Sequence, residues 1–113
     1  MSELSNKIAQ LRQEYSAEPL TKDSVDKNPF QQFENWFNEA LKAELLEPNA
    51  MTLATASKDG LPSARTVLLK HFDAKGFTFF TNYGSTKAKE LEENPNAALL
   101  FAWLPLQRQI KIQ

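Results

Sequence analysis

At 113 residues the chain is long enough for one domain, and its 42% apolar and 24% charged side chains are ordinary for a globular protein. A net charge of −1 excludes a global field that would draw in nucleic acid or an anionic membrane, so any anion site must be local. With no cysteine and one histidine there can be no disulfide, thiolate metal site or multi-histidine metal centre within the chain. No apolar run approaches a membrane span or a signal-peptide core, so the expected location is the cytoplasm.

Residues 1–28 read as an N-terminal helix and a linker. Ile8, Leu11 and Tyr15 stand at i, i+3 and i+7, which predicts a short amphipathic helix over 5–15, docked on the body or frayed. Residues 16–28 are polar and carry Pro19, as a loop would. Asn28-Pro29 then opens the strongest helix, because Asn caps well and Pro suits the first helical position. Phe30, Phe33, Phe37, Leu41 and Leu45 follow at helical spacing, with Trp36 and Ala40 beside them, and Pro48 should end the helix near Glu47. An aromatic stripe of this kind is core rather than a ring-stacking surface.

Residues 51–56 read as a strand, Ser57-Lys58-Asp59-Gly60 as a hairpin turn, 61–71 as a second strand and 77–81 as a third, together an antiparallel meander. A helix over 85–93 begins at a Ser85 cap and stops at Asn94-Pro95. The apolar run 97–103 reads as a buried strand, Leu104-Pro105-Leu106 as a bend and 107–113 as a last strand. The fold class expected is mainly β with flanking helices, a partial antiparallel Greek-key barrel.

Three cations sit where these elements begin and end: Arg65, Lys70 and Lys87. Ser85-Thr86-Lys87 starts a helix after a glycine, where free N–H groups and a partial positive charge suit a phosphate. Arg65 and Lys70 are five residues apart, so a regular strand sends them to opposite faces, and one phosphate could take both only across a bulge. Read alone, both are surface cations with snorkelling stems. No nucleophile–base constellation is evident, and no catalytic residue or metal ligand is assigned.

Arg65-Thr66-Val67-Leu68-Leu69-Lys70, then Phe79-Phe80-Thr81-Asn82-Tyr83-Gly84-Ser85-Thr86-Lys87, Asn94-Pro95 and Arg108-Gln109 together resemble the pyridoxamine 5'-phosphate oxidase family, flavin enzymes of the FMN-binding split-barrel fold. Arg12-Gln13-Glu14-Tyr15 extends the resemblance towards the N-terminus. It implies FMN-dependent oxidation of pyridoxamine or pyridoxine 5'-phosphate to pyridoxal 5'-phosphate, with oxygen consumed, peroxide formed and a homodimer holding FMN at its interface. It assigns Arg65 to the FMN phosphate, Thr66 to Leu69 to the flavin partly through backbone, and Phe80, Thr81 and Lys87 to further cofactor contacts. Lys70 is placed at the cofactor and reaching towards the substrate phosphate, and Gln109 at the flavin ring edge. Arg12, Gln13, Glu14 and Tyr15 become a mobile cover over the substrate.

Read alone, Gln109 is a polar residue on an outer strand face with Gln107 and Lys111. Thr86 departs from the family pattern, which usually has Arg there, so a guanidinium is replaced by a hydroxyl. Family members are about twice this long, so residues 29–113 are expected to be the N-terminal part of a split-barrel domain. The alternatives are a non-catalytic module binding flavin or pyridoxal phosphate, and an inert fragment.

Overall fold

The computed structural model describes residues 2–12, 14–82 and 84–113. Helix α1 spans Glu3–Gln10, its N-terminus capped by the Ser2 hydroxyl accepting from the Ser5 amide at 3.2 Å. It begins and ends earlier than the apolar spacing predicts. Ile8, Leu11 and Tyr15 are all exposed, Tyr15 at 85%, so no buried stripe extends the helix past Gln10. Arg12, Glu14 and Tyr15 therefore lie outside any helix, and Gln13 lies outside the described residues.

Helix α2 spans Pro29–Lys42, with the Asn28 side chain accepting from the Phe30 and Gln31 amides. It stops before the predicted Glu47. Glu44 and Glu47 take positive φ, 54° and 45°, and the bend turns Leu45 back onto the core. The Trp103 indole N–H then donates to the Pro48 carbonyl at 3.0 Å, holding the bend against the sheet. The seam of α2 is also rotated from the expected stripe: Phe33 and Ala40 are buried, whereas Leu41 is exposed.

Strands β1 (Ala50–Ala56) and β2 (Pro62–Leu68) form a hairpin with Ala50 opposite Leu68. Gly60 closes its turn at φ 87°, a conformation that favours glycine. The predicted second strand is broken. The Leu69 amide donates to the Asn49 carbonyl at 2.8 Å, while the next amide, of Lys70, donates to Thr78 at 2.9 Å. The chain thus changes partners between two sheets. Strands β3 (His71–Asp73) and β4 (Gly76–Thr78) form a separate two-stranded sheet, and residues 79–81, expected in the third strand, fall outside it. The meander is two hairpins.

Helix α3 (Thr86–Glu93) lies where cap and stop signals place it, with the Ser85 hydroxyl accepting from Ala88. Strand β5 (Ala97–Trp103) pairs with β1, and β6 (Arg108–Ile112) pairs with β5, giving the sheet order β2-β1-β5-β6. A 3-10 turn, Leu104–Leu106, joins β5 to β6. Gln107, expected to open the last strand, instead adopts a left-handed backbone, φ 53°, that re-aims the chain.

One face of the sheet forms the core. Met51, Leu53, Val67, Leu99, Phe101 and Trp103 pack there with Phe33 of α2. Phe33 meets the β3–β4 hairpin edge-on, with ring centroids 4.8 Å from Phe72 and 5.0 Å from Phe77. The opposite face carries small and polar side chains, including Thr52, Ala54, Ala64, Thr66, Ala102 and Gln109, which are partly or fully exposed.

Candidate functional site

Alternation along β2 separates the residues of the Arg65–Lys70 run. Arg65 and Val67 face the core side, and Thr66 and Leu68 face the open side. The strand ends at Leu68, yet the alternation persists: Leu69 is buried and Lys70 is exposed. Val67 and Leu69 have their side chains in the core, so a ligand could reach them only through backbone. Arg65 and Lys70 point to different surroundings, but Lys70 stands past the end of β2, so the parity of one regular strand does not set its direction.

Arg65 is half-buried in a polar network beneath α3. Its Nη1 donates to the Leu53 carbonyl at 3.1 Å and to the Thr55 hydroxyl at 2.7 Å. The Thr55 hydroxyl donates to Glu90 Oε2 at 2.7 Å, and the Ser63 hydroxyl donates to Glu90 Oε1 at 3.0 Å. Three elements meet here: β1 through Thr55, β2 through Ser63 and Arg65, and α3 through Glu90. Among the described residues, Nε and Nη2 of Arg65 make no hydrogen bond, so that edge of the guanidinium keeps its donors. Sequence reasoning missed Thr55, Ser63 and Glu90. Glu90 had a signal: it stands three residues after Lys87, on the same helix face.

The start of α3 is built by short local bonds. Asn82 Oδ1 accepts from the Gly84 amide at 3.0 Å, the Asn82 carbonyl accepts from Ser85, and Thr81 Oγ1 lies 3.2 Å from Ser85 Oγ. Thr81 therefore adjoins the helix cap. Lys87 is half-buried in the first turn, while Phe80 is 75% exposed. Guanidinium, ammonium, hydroxyls and helix-start amides are the donor types a phosphate monoester needs.

A second group assembles at the other end of the sheet. Leu11, Arg12, Tyr15, Leu104, Gln107 and Gln109 line an open cleft of about 690 Å³. Two predicted groups, the N-terminal segment and Gln109, are thus brought together. The residue that does this is Gln107. Its Oε1 accepts from the Ser16 and Ala17 amides, each at 2.9 Å, and its Nε2 donates to the Glu14 carbonyl at 3.1 Å. Arg108, beside it, pairs with Glu39 at 2.6 Å and stacks over Trp36. Gln109 occupies the open face and Arg65 the covered face, so the chain does not gather all the predicted cofactor residues into one pocket.

Solved structures share this architecture. PhzG from Burkholderia lata 383, in complex with tetrahydrophenazine-1-carboxylic acid, superposes with a TM-score of 0.79 and 33% identity over 87% of this chain and 50% of that one. A pyridoxamine 5'-phosphate oxidase-related, FMN-binding protein from Nostoc punctiforme has a TM-score of 0.64 and 20% identity over 78% of this chain and 46% of that one. The fold is a split barrel with its sheet left unclosed. The family model described as pyridoxamine 5'-phosphate oxidase matches residues 37–113, and the chain belongs to that family.

Curated pyridoxine/pyridoxamine 5'-phosphate oxidases are closely similar. The Crocosphaera subtropica protein is 64% identical over 106 residues, and the Aliarcobacter butzleri protein 59% over 106. The Salinibacter ruber protein is 57% identical over 108 residues. The chain spans about half the length of these relatives: 50% of each, against 94–96% of itself. No helix among the described residues is long and apolar enough to cross a membrane.

Proposed function

We propose that the chain serves in the FMN-dependent oxidation of pyridoxamine or pyridoxine 5'-phosphate to pyridoxal 5'-phosphate, as the N-terminal part of a split-barrel domain in a cytoplasmic homodimer. The observation that carries this is the Arg65 network, which links a strand guanidinium through the Thr55 hydroxyl to Glu90 of α3, the helix capped by Ser85. In this reading Arg65, Lys87 and the α3 amides hold the FMN phosphate. Backbone of residues 66–69, together with Phe80 and Thr81, borders the flavin. Gln109 both donates and accepts at the ring edge, which suits its amide.

The donor set at the start of α3 fits FMN because its charge is local, while the whole chain is near neutral. When bound, the flavin supplies the two-electron redox chemistry that the side chains lack, with oxygen as the second substrate. The protein's share is to bind and orient. Lys70, exposed and clear of the Arg65 network, takes the substrate phosphate. The segment Arg12–Tyr15 covers the substrate and keeps water out, with Gln107 bonding the backbone at Glu14 and Ser16. The split-barrel part extends over 29–113, and 1–28 is an N-terminal helix and linker that carries the covering segment.

Titration of the chain with FMN and riboflavin, followed by flavin fluorescence, tests the reading. FMN should bind the tighter of the two, because the phosphate is the main handle. Equal affinity for the two flavins would overturn the phosphate assignment.

A further inference from the structure

We propose that Glu90 is a positioning residue for the phosphate cradle: through the Thr55 hydroxyl, its carboxylate sets where the Arg65 guanidinium stands relative to the start of α3. This rests on the phosphate reading above and adds a residue that binds nothing itself. Glu90 is only 8% exposed. Among the described residues the ion pairs are His71–Asp73 and Arg108–Glu39, so Glu90 is buried without a cation in direct contact. A carboxylate buried on hydroxyls alone is costly beside an apolar side chain of similar size. Filling space does not explain it.

The direction of the hydrogen bonds does. Arginine only donates, so the Thr55 oxygen must accept from Arg65 and send its own proton elsewhere. Glu90 Oε2 is the acceptor at 2.7 Å. The second oxygen accepts a hydrogen bond from the Ser63 hydroxyl, which ties the same carboxylate to β2, two residues before Arg65. One group on α3 thereby holds both strands in register with the helix. Because a hydroxyl stands between them, Glu90 orients Arg65 without occupying the guanidinium edge that a phosphate would use. Lys87 stands three residues earlier on the same helix face.

The test compares FMN and riboflavin affinity, by flavin fluorescence, in the parent chain and in Arg65→Ala, Glu90→Ala, Glu90→Gln, Thr55→Val and Thr55→Ser. Glu90→Ala and Thr55→Val should each lower the preference for FMN on the order of fivefold, the scale of one ordinary hydrogen bond, while riboflavin affinity holds. Glu90→Gln and Thr55→Ser keep an acceptor and a hydroxyl, respectively, and should retain most of the preference. A purely structural role would lower the melting temperature and weaken both flavins alike, which overturns the proposal. If Glu90→Ala does not fold, Glu90→Met, of similar length and without a carboxylate acceptor, takes its place in the comparison. Full FMN preference in Glu90→Ala and Thr55→Val, with preference lost in Arg65→Ala, overturns the role of Glu90 and leaves the phosphate reading standing. A parent chain with no preference for FMN overturns both.

Discussion

Gln107 grips the backbone at Glu14 across 93 positions of sequence, its amide donating to the Glu14 carbonyl at 3.1 Å while its oxygen accepts from Ser16 and Ala17. One side chain thus fixes the N-terminal arm beside the Gln109 cleft. The left-handed backbone at Gln107 aims it there. Asn tolerates that backbone and is one methylene shorter, so Gln107→Asn removes reach without adding strain. Amide exchange at Ser16 and Ala17 should quicken roughly tenfold, for a loss of about 1.4 kcal/mol. Unchanged protection at both amides would show that the arm is held by something else.

Phe33 is the hub of the aromatic core. It is buried and meets Phe37, Phe72, Phe77, Phe101 and Trp103. It joins α2 to both sheets, so its loss should loosen the β3–β4 hairpin as well as the helix. Phe33→Ala should cost about 3–5 kcal/mol, read as a lowered urea midpoint. Leu41→Ala, on the exposed side of the same helix, should shift the midpoint by less than about 1 kcal/mol. Equal shifts would mean that the seam of α2 has been placed on the wrong residues.

What was legible in the sequence follows from how far each cause reaches. The α2 and α3 starts were readable because Asn28 and Ser85 cap amides two or three residues away. The alternation of Arg65 and Val67 with Thr66 and Leu68 was readable because pleat parity is local. The break after Leu68 was not, since it depends on carbonyls of Asn49 and Thr78 arriving from other elements. Nor was the Arg65 network, whose partners Thr55 and Glu90 lie 10 and 35 positions away from Arg65 and Thr55, respectively. Gln107 looked like an outward polar residue because nothing near it in sequence marks the arm it holds.

The β3–β4 hairpin carries an acid-sensitive contact. The Asp73 carboxyl is held below its usual value of 3.8, first by the Lys75 backbone N–H and then by the His71 side chain. A carboxyl with a depressed folded pKa stabilises above its ordinary pKa and loses that contribution as pH falls through the folded value. The window therefore lies below pH 3.8. Asp73 is exposed, so the effect should be small. Melting temperatures followed from neutral pH down to about pH 3 should fall slightly less steeply in Asp73→Asn than in the parent. Identical slopes would mean that this carboxyl does not contribute.

Arg65 and Lys70 offer the sharpest separation of roles. Arg65 is half-buried and tied to β1 by two hydrogen bonds, whereas Lys70 is exposed beyond the end of β2. If each serves a different phosphate, neutral truncation should split the two affinities. Arg65→Ala should remove the preference for FMN over riboflavin, at about 1–3 kcal/mol for a charge-assisted bond. Lys70→Ala should leave that preference intact and weaken binding of pyridoxine 5'-phosphate relative to pyridoxine. Solvent screens an exposed cation, so the second effect should be nearer 1 kcal/mol. Both affinities can be measured on one preparation, by flavin fluorescence and by calorimetry. If both variants lose FMN preference equally and neither changes substrate affinity, the two cations serve one phosphate. The exposed Lys70 side chain would then have to fold back across the strand end towards Arg65, and the two-phosphate reading would be wrong.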